Sequence, residues 1–361
     1  MFTFEISDRF LSKEEQEIFK DYLMDLGLDA HIWGVFECLF HSGVKNTKPY
    51  LLRAYQGSKL TGAVILIRCS KYGKALFNHQ ILSGAINLFP VPFYLWIRFG
   101  CCMDMMSNPG FVKDPENAKE VFSAILIYMK KKFFMTIITD YSHHASHYPE
   151  ASVLPALPHG LIDTSEMSGI ADYNRNFKNI KRKKREFRSK GGAYSEVEHN
   201  LEKDQLIDLK KCFVTTSEKS VFYLPYQDLY LNAALTTSGT PLKNVFYFVA
   251  TLNGEFLGYQ AAIKTGKKLN ALHGAFDRNR KTTFHAYDIL FEKMTEYAIE
   301  HGLETVDFGA IVNLTKQKMV NQSIPMSYFL FSKYPLVQKL FNTILKYTKI
   351  QGDRQMKFRE N

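Results

Sequence analysis

The chain has 361 residues, 46% of them hydrophobic and 14% aromatic, which is enough apolar material for about two packed domains and excludes a wholly disordered chain. Its formal charge of +10 favours anionic partners: a nucleotide-bearing cofactor, RNA or an acidic membrane surface. The five cysteines are odd in number and form no CxxC pair, and the N-terminus lacks a charged-then-apolar signal pattern, so they read as reduced thiols of a cytoplasmic protein.

In chain order, Ser12-Lys13-Glu14-Glu15 has the form of a capping box, opening a helix that runs to about Leu26 and stops at Gly27. Tyr50–Ile67 reads as a hairpin turning at Gln56-Gly57, with Gly62 in its second strand. The uncharged run Ile81–Ile97 is 17 residues long, the lower limit for a spanning helix, and Pro90 and Pro92 interrupt it. It therefore reads as a buried strand–loop–strand, with a loop that dips into a membrane or touches an acyl chain as the sharper alternative. Asp114-Pro115 supplies an N-cap, and the helix it opens ends on the lysines 130–132, which suit the negative end of its dipole. The strand FMTIITDYS then carries Asp140 near its end. His143, His144 and His147 have no Cys or Glu in register, so they read as polar loop residues rather than as metal ligands.

Nine basic residues against two acidic ones fall between Asp172 and Gly192, so most of the net charge is local. Phe177, Ile180, Lys184 and Phe187 share one face there, which predicts a helix, 176–190, docked by its aromatic side. A strand from Ala193 and helices over 201–212 and 226–234 follow. Phe246–Ile263 is a second hairpin, turning at Asn253-Gly254 and carrying Gly258, one place out of step with Gly62. A helix over 285–301 stops at Gly302, and LETVDFGA repeats the apolar strand with its aspartate, Asp307. Both halves thus run strand–strand–strand–helix–strand, the first with an aromatic insertion at 79–100, which points to duplication. The chain divides at 165/166 on this reading. After Pro335, Leu336, Leu340, Ile344 and Tyr347 form an apolar stripe flanked by lysines, which either packs on the core or rests on an anionic membrane.

Three stretches, NIKRKKREFRSKGGAYSEV, GEFLGYQAAI with LHGAFD, and HAYDILFEKMTEYAIEHGLETVDFGAIVNLTKQKM, resemble the FemAB-like branch of the GNAT superfamily. The resemblance spans about Asn176 to Met319. It implies an α/β (α+β) fold of two tandem GNAT-like domains, each a mixed, mostly antiparallel sheet flanked by helices, with the second domain catalytic. It also implies transfer of an acyl or aminoacyl group, from acyl-CoA or from tRNA, to an amine. A degenerate, non-catalytic pair that binds membrane or RNA is the remaining alternative.

Lys316 matches the lysine after the family's final strand, and Lys318 competes with it. Asp277, His285 and Asp307 are candidate bases; Asp288 is either a base or a partner for its helix's dipole, and Tyr259 and Tyr287 are candidate acids. The glycines of the usual pyrophosphate loop are absent from DRNRKTTFHAYD. Anion binding then falls to Lys181, Arg182 and Arg185 on the basic helix, and to Arg278 and Arg280.

Overall fold

The computed structural model describes residues 2–8, 12, 14, 15, 17, 47–69, 93–96, 118–177, 179–198, 201, 203–218, 245–277, 285–310, 317–340 and 342–343. The first half contains β1 (Phe2–Ser7), β2 (Thr47–Gln56), β3 (Lys59–Cys69), β4 (Phe93–Trp96), α1 (Ala118–Lys132) and β5 (Met135–Tyr141). A 3-10 turn, Ser142–His147, leads into β6 (Ser152–Asp163). Then come α2 (Ile170–Asn176), α3 (Ile180–Ser189), β7 (Gly192–Glu198), α4 (Lys203–Glu218), β8 (Val245–Leu252), β9 (Glu255–Thr265) and β10 (Lys268–Phe276). Helix α5 (Ala286–Glu300), β11 (Thr305–Ala310) and β12 (Gln322–Ser332) complete the described elements.

The strands form one sheet in the order β1-β2-β3-β4-β5-β12-β6-β11-β10-β9-β8-β7. Among the described strands, β4–β5 and β10–β11 are the parallel pairs, one in each half. Each half gives its last strand to the other: β6 follows β5 in the chain but pairs with β11, and β12 follows β11 but pairs with β5. β6 and β12 also pair with each other, which makes the sheet continuous.

The two hairpins match more closely than their sequences do. The first turns at Gly57-Ser58, one residue later than expected, because Gln56 is still paired with Lys59. Counted from the true turns, Gly62 and Gly258 occupy the same place. Gly62 pairs with Ala54 and Gly258 with Ala250, and each sits beside a bulge, at Thr61 and Leu257 respectively. A Cβ on Gly258 would lie 2.3 Å from Phe276 and 2.6 Å from the Ala275 carbonyl oxygen, so only glycine fits.

Amphipathic helices cover these strands. Val121, Ile125 and Met129 of α1 pack on Leu52, Ala54, Val64, Leu66 and Ile138, while Leu290, Met294 and Ala298 of α5 pack on Phe246, Phe248, Ala262, Leu269 and Val306. Ile180 and Phe187 of α3 are buried in the second core, as the sequence pattern predicts.

Two other expectations need adjusting. The basic segment is two helices, α2 and α3, separated at Phe177. Part of the expected insertion, Phe93–Trp96, is itself a strand of the sheet, β4, and lies between β3 and β5. Ser12 and Glu15 do exchange the two hydrogen bonds of a capping box, at 2.8 and 3.3 Å, and Glu14 and Glu17 are helical, but the helix beyond Glu17 lies outside the described residues. The Asp114-Pro115 cap and the 226–234 helix also lie outside them. No helix among the described residues is long and apolar enough to cross a membrane.

Candidate functional site

The parallel strands β10 and β11 are paired only at Lys268–Thr305, Leu269–Val306 and Asn270–Asp307. Beyond that point β10 continues along β9 and β11 along β6, so a wedge opens with Asn270 and Asp307 at its apex. Cross-strand partners share a face of the sheet, as do residues two apart on a strand. Asn270, Asp307 and Leu161 therefore share a face with His159, on the side opposite the α5 core residues Leu269, Val306 and Ile162.

Asp307 is buried and firmly held. Its Oδ1 accepts the Gly309 N–H at 2.5 Å, and its Oδ2 lies 3.4 Å from Nδ1 of the buried His159. Gly309 stands at φ 69°, the left-handed backbone that lets its N–H fold back onto Asp307. Beside them the buried Asn270 side-chain N–H2 donates to no group among the described residues. A buried amide without a partner costs about 1–3 kcal/mol, so the site holds a donor that a ligand's oxygen would satisfy.

The first half carries a counterpart. Its parallel pair β4–β5 ends at Trp96–Ile138, and Asp140 follows two residues later. Asp140 is fully buried and accepts from Tyr148 Oη at 2.5 Å, from the Tyr141 N–H at 2.7 Å, and lies 3.1 Å from His144 Nδ1. Ser142 and Ser327 share a 2.8 Å hydroxyl contact alongside.

Two lysines of the basic helix are committed inward. Lys183 pairs with the buried Asp288 of α5. Lys184 Nζ lies 2.8 and 2.7 Å from the two oxygens of Glu292, a carboxylate with no exposed surface. Asn174 donates to the same Glu292 at 3.2 Å. Asp288 is therefore an ion-pair partner within the fold as well as a first-turn acid of α5. Arg182 pairs with Glu186, whose Oε2 is 3.0 Å from His285 Nε2. Hydrogen bonds from Arg182 and, less strongly, from His285 hold the Glu186 carboxyl below its ordinary range. Lys181 and Arg185 remain exposed.

The residues singled out in the sequence are thus dispersed. Asp307 sits at the wedge apex. His285 caps α5 in a left-handed conformation and faces the basic helix. Asp277 follows the far end of β10, roughly 20 Å along the strand from Asn270, where its N–H donates to the Leu257 carbonyl at 2.9 Å. Lys316, Arg278 and Arg280 lie outside the described residues, and Lys318 is exposed. Burial pushes the Tyr259 and Tyr287 hydroxyls well above their ordinary range, which makes both poor acids. No group of three His, Cys, Asp or Glu among the described residues is arranged to hold a metal ion.

The acetyltransferase (GNAT) domain family matches residues 174–315, the segment that contains the wedge. The match lies wholly within the second half of the chain. Solved structures extend the fold to both halves, although at identities too low to carry more than the fold. FemX aligns at TM-score 0.53 and 14% identity over 93% of this chain and 100% of its own. L-PGS from Bacillus licheniformis aligns at 0.53 and 11%, over 93% and 98%. A tandem GNAT protein from the clavulanic acid biosynthesis pathway aligns at 0.51 and 11%, over 93% and 99%. No curated protein sequence matches the chain. The fold of two tandem GNAT-like halves implied by the sequence is the one shared with these structures.

Proposed function

We propose that the chain is an N-acyltransferase that moves an acyl group from acyl-CoA or a similar thioester to an amine on a lipid, sugar-linked or cell-envelope acceptor. The observation that carries this reading is the apex of the β10–β11 wedge, where an unpartnered buried amide stands beside a carboxylate–imidazole pair. The amine nitrogen attacks the thioester carbonyl, and the C–N bond forms as the oxygen takes the negative charge. Asn270 Nδ2–H is the proposed donor to that oxygen. The Asp307–His159 pair is the proposed base, taking the proton that the ammonium loses. As the oxyanion collapses, the C–S bond breaks and the nitrogen of the intermediate loses its second proton; the thiolate leaves and takes up one proton, from the acid that the pair has become or from the Lys316 ammonium, and the other proton passes to solvent. Asp277 and His285 are assigned to the far end of the wedge, where they would position the donor.

A CoA co-substrate fits this chain only in part. Its pantetheine arm suits a wedge between parallel strands, but the N-terminus of α5 already meets Asp288 and Lys183 instead of presenting an open anion cradle. The phosphates are therefore assigned to the exposed Lys181 and Arg185, to Arg182, and to Arg278 and Arg280. These same cations favour a second reading, an aminoacyl-tRNA donor; the chemistry is then identical, with a C–O ester bond breaking in place of C–S. The division at 165/166 is retained as a proposal for the two sequence repeats, in the cytoplasm.

A thermal-shift screen with acetyl-CoA, long-chain acyl-CoA and aminoacyl-tRNA identifies the donor, since a ligand at 100 times its Kd stabilises by about 2.7 kcal/mol. Asp307→Asn and Asn270→Ala should each lower kcat by about a hundredfold or more, with donor binding retained. Wild-type kcat in both variants refutes the assignment of this site. Failure of every donor to stabilise the protein favours a non-catalytic binding protein.

A further inference from the structure

An amphipathic helix on a protein surface ordinarily turns its apolar stripe inward. The segment after β12 does the reverse. Residues 335–340 are helical, as are 342–343, and their amide side chains make the contacts with the fold. Gln338 accepts from the Ser332 N–H at 2.7 Å and donates to the Leu330 carbonyl at 3.0 Å and to Ser152 Oγ. Ser152 Oγ in turn donates to Asn342, four residues further on. Leu336 and Leu340, also four apart, project from the other side at 81% and 52% exposure. Leu336 is the most exposed large hydrophobic residue of the described structure, and Tyr334 beside it is 47% exposed. The expectation that this stripe packs on the core is therefore overturned for Leu336 and Leu340, because Ser152 and the end of β12 offer hydrogen-bond partners to the helix's polar side.

Most of the charge near the leucines is positive, and the exposed Glu150, two residues before Ser152, is paired with Lys130. Lys333 and Lys339 are exposed on the segment itself. Lys131 and Lys132 are exposed at the end of α1, next to Phe134, whose carbonyl accepts from the Lys333 N–H and whose ring lies 5.4 Å from that of Tyr334. From Phe308 to Gly352 the sequence has six lysines and no acidic residue. We infer that this face seats on an anionic lipid surface, with Leu336, Leu340 and Tyr334 entering the headgroup–acyl boundary and the lysines meeting lipid phosphates. Exposed apolar side chains ringed by cations suit that occupant: either feature alone binds a bilayer marginally, and two together bind it stably. The inference concerns where the protein sits and is independent of the reaction proposed above.

Co-flotation of the full-length protein with phosphatidylglycerol-containing vesicles tests it, with pure phosphatidylcholine vesicles alongside. The wild type should float with the anionic vesicles at 0.1 M salt and be released at 1 M. Leu336→Glu/Leu340→Glu should reduce vesicle binding at least tenfold while leaving the melting temperature unchanged, since both side chains are exposed. Lys131→Glu/Lys132→Glu/Lys339→Glu should do the same. Absence of wild-type flotation overturns the inference, as does equal binding by the leucine variant or equal binding to neutral vesicles. So does a wild-type dimer in light scattering that the leucine variant dissolves, since that assigns the face to a second copy of the chain.

Discussion

Lys184→Met is the perturbation whose cost the structure defines best. It removes the cation beside Glu292, whose carboxylate has no exposed surface and, among the described residues, keeps the Asn174 amide as its further donor. A buried ion pair broken at one partner typically costs about 3–5 kcal/mol, because the remaining charge is left desolvated. Lys184 reaches solvent at one side, with a fifth of its side chain exposed, so water can replace part of its contribution and the lower end, about 3 kcal/mol, is expected. Removing both charges should recover most of that loss: Lys184→Met/Glu292→Leu replaces the pair by apolar groups, a change that is often neutral in other proteins. The assay is a double-mutant cycle in urea, read as coupling between the two sites so that the large chain's unfolding mechanism matters less. Lys181→Met, on the exposed side of the same helix, is the control and should change stability by less than about 0.5 kcal/mol. A Lys184→Met cost under about 1 kcal/mol, or a double variant no more stable than the single, refutes the claim that these lysines serve the fold rather than a ligand.

Gly258→Ala should destabilise by about 1–3 kcal/mol, because its Cβ meets the Ala275 carbonyl oxygen as well as the Phe276 ring and backbone cannot yield. The equivalent Gly62→Ala should cost less, since its Cβ meets only the tips of Val121 and Ile125 at 2.9 and 3.0 Å; urea midpoints that reverse this order contradict the reasoning. Asp140→Asn should cost about 1–3 kcal/mol through its Tyr148 and His144 contacts yet leave transfer by the folded protein intact. Loss of kcat in a folded Asp140→Asn protein would move the chemistry to the first half.

Local signals in the sequence recover the elements and miss what joins them. Both hairpins, α1 and α5 follow from periodicity and turn residues within a few positions of each other. The face shared by Ile180, Lys184 and Phe187 correctly places Lys184 against the core. Its partner, Glu292, is not legible, because that carboxylate lies 108 residues away and is set by how α5 crosses α3. His159 has no sequence signal at all: it meets Asp307 across 148 residues through the register of β6. Asn270 did carry one, as a polar residue between Leu269 and Ala271 of the KLNALHGAF strand at a position the sheet buries. The C-terminal stripe was visible as a pattern, but its direction was not, since direction depends on Ser152 waiting to bond Gln338 and Asn342.

The exchange of last strands gives the duplication a physical consequence. In each half the aspartate-bearing strand has a parallel neighbour from its own repeat and an antiparallel neighbour from the other. His159, which faces Asp307, belongs to the first repeat, while Ser327, which faces Ser142 beside Asp140, belongs to the second. Neither aspartate therefore has its full surroundings within one repeat. A first half that had lost every chemical role of its own would still be required, because without β6 the edge of β11 is unpaired and Asp307 loses its imidazole. The two apices also differ in what remains to be satisfied. Asp140 is met by a phenol, an imidazole and a backbone N–H, whereas the second apex keeps an amide N–H2 that has no acceptor among the described residues. A site that must still accept a substrate oxygen is expected to look like the second, and one that holds the sheet together is expected to look like the first.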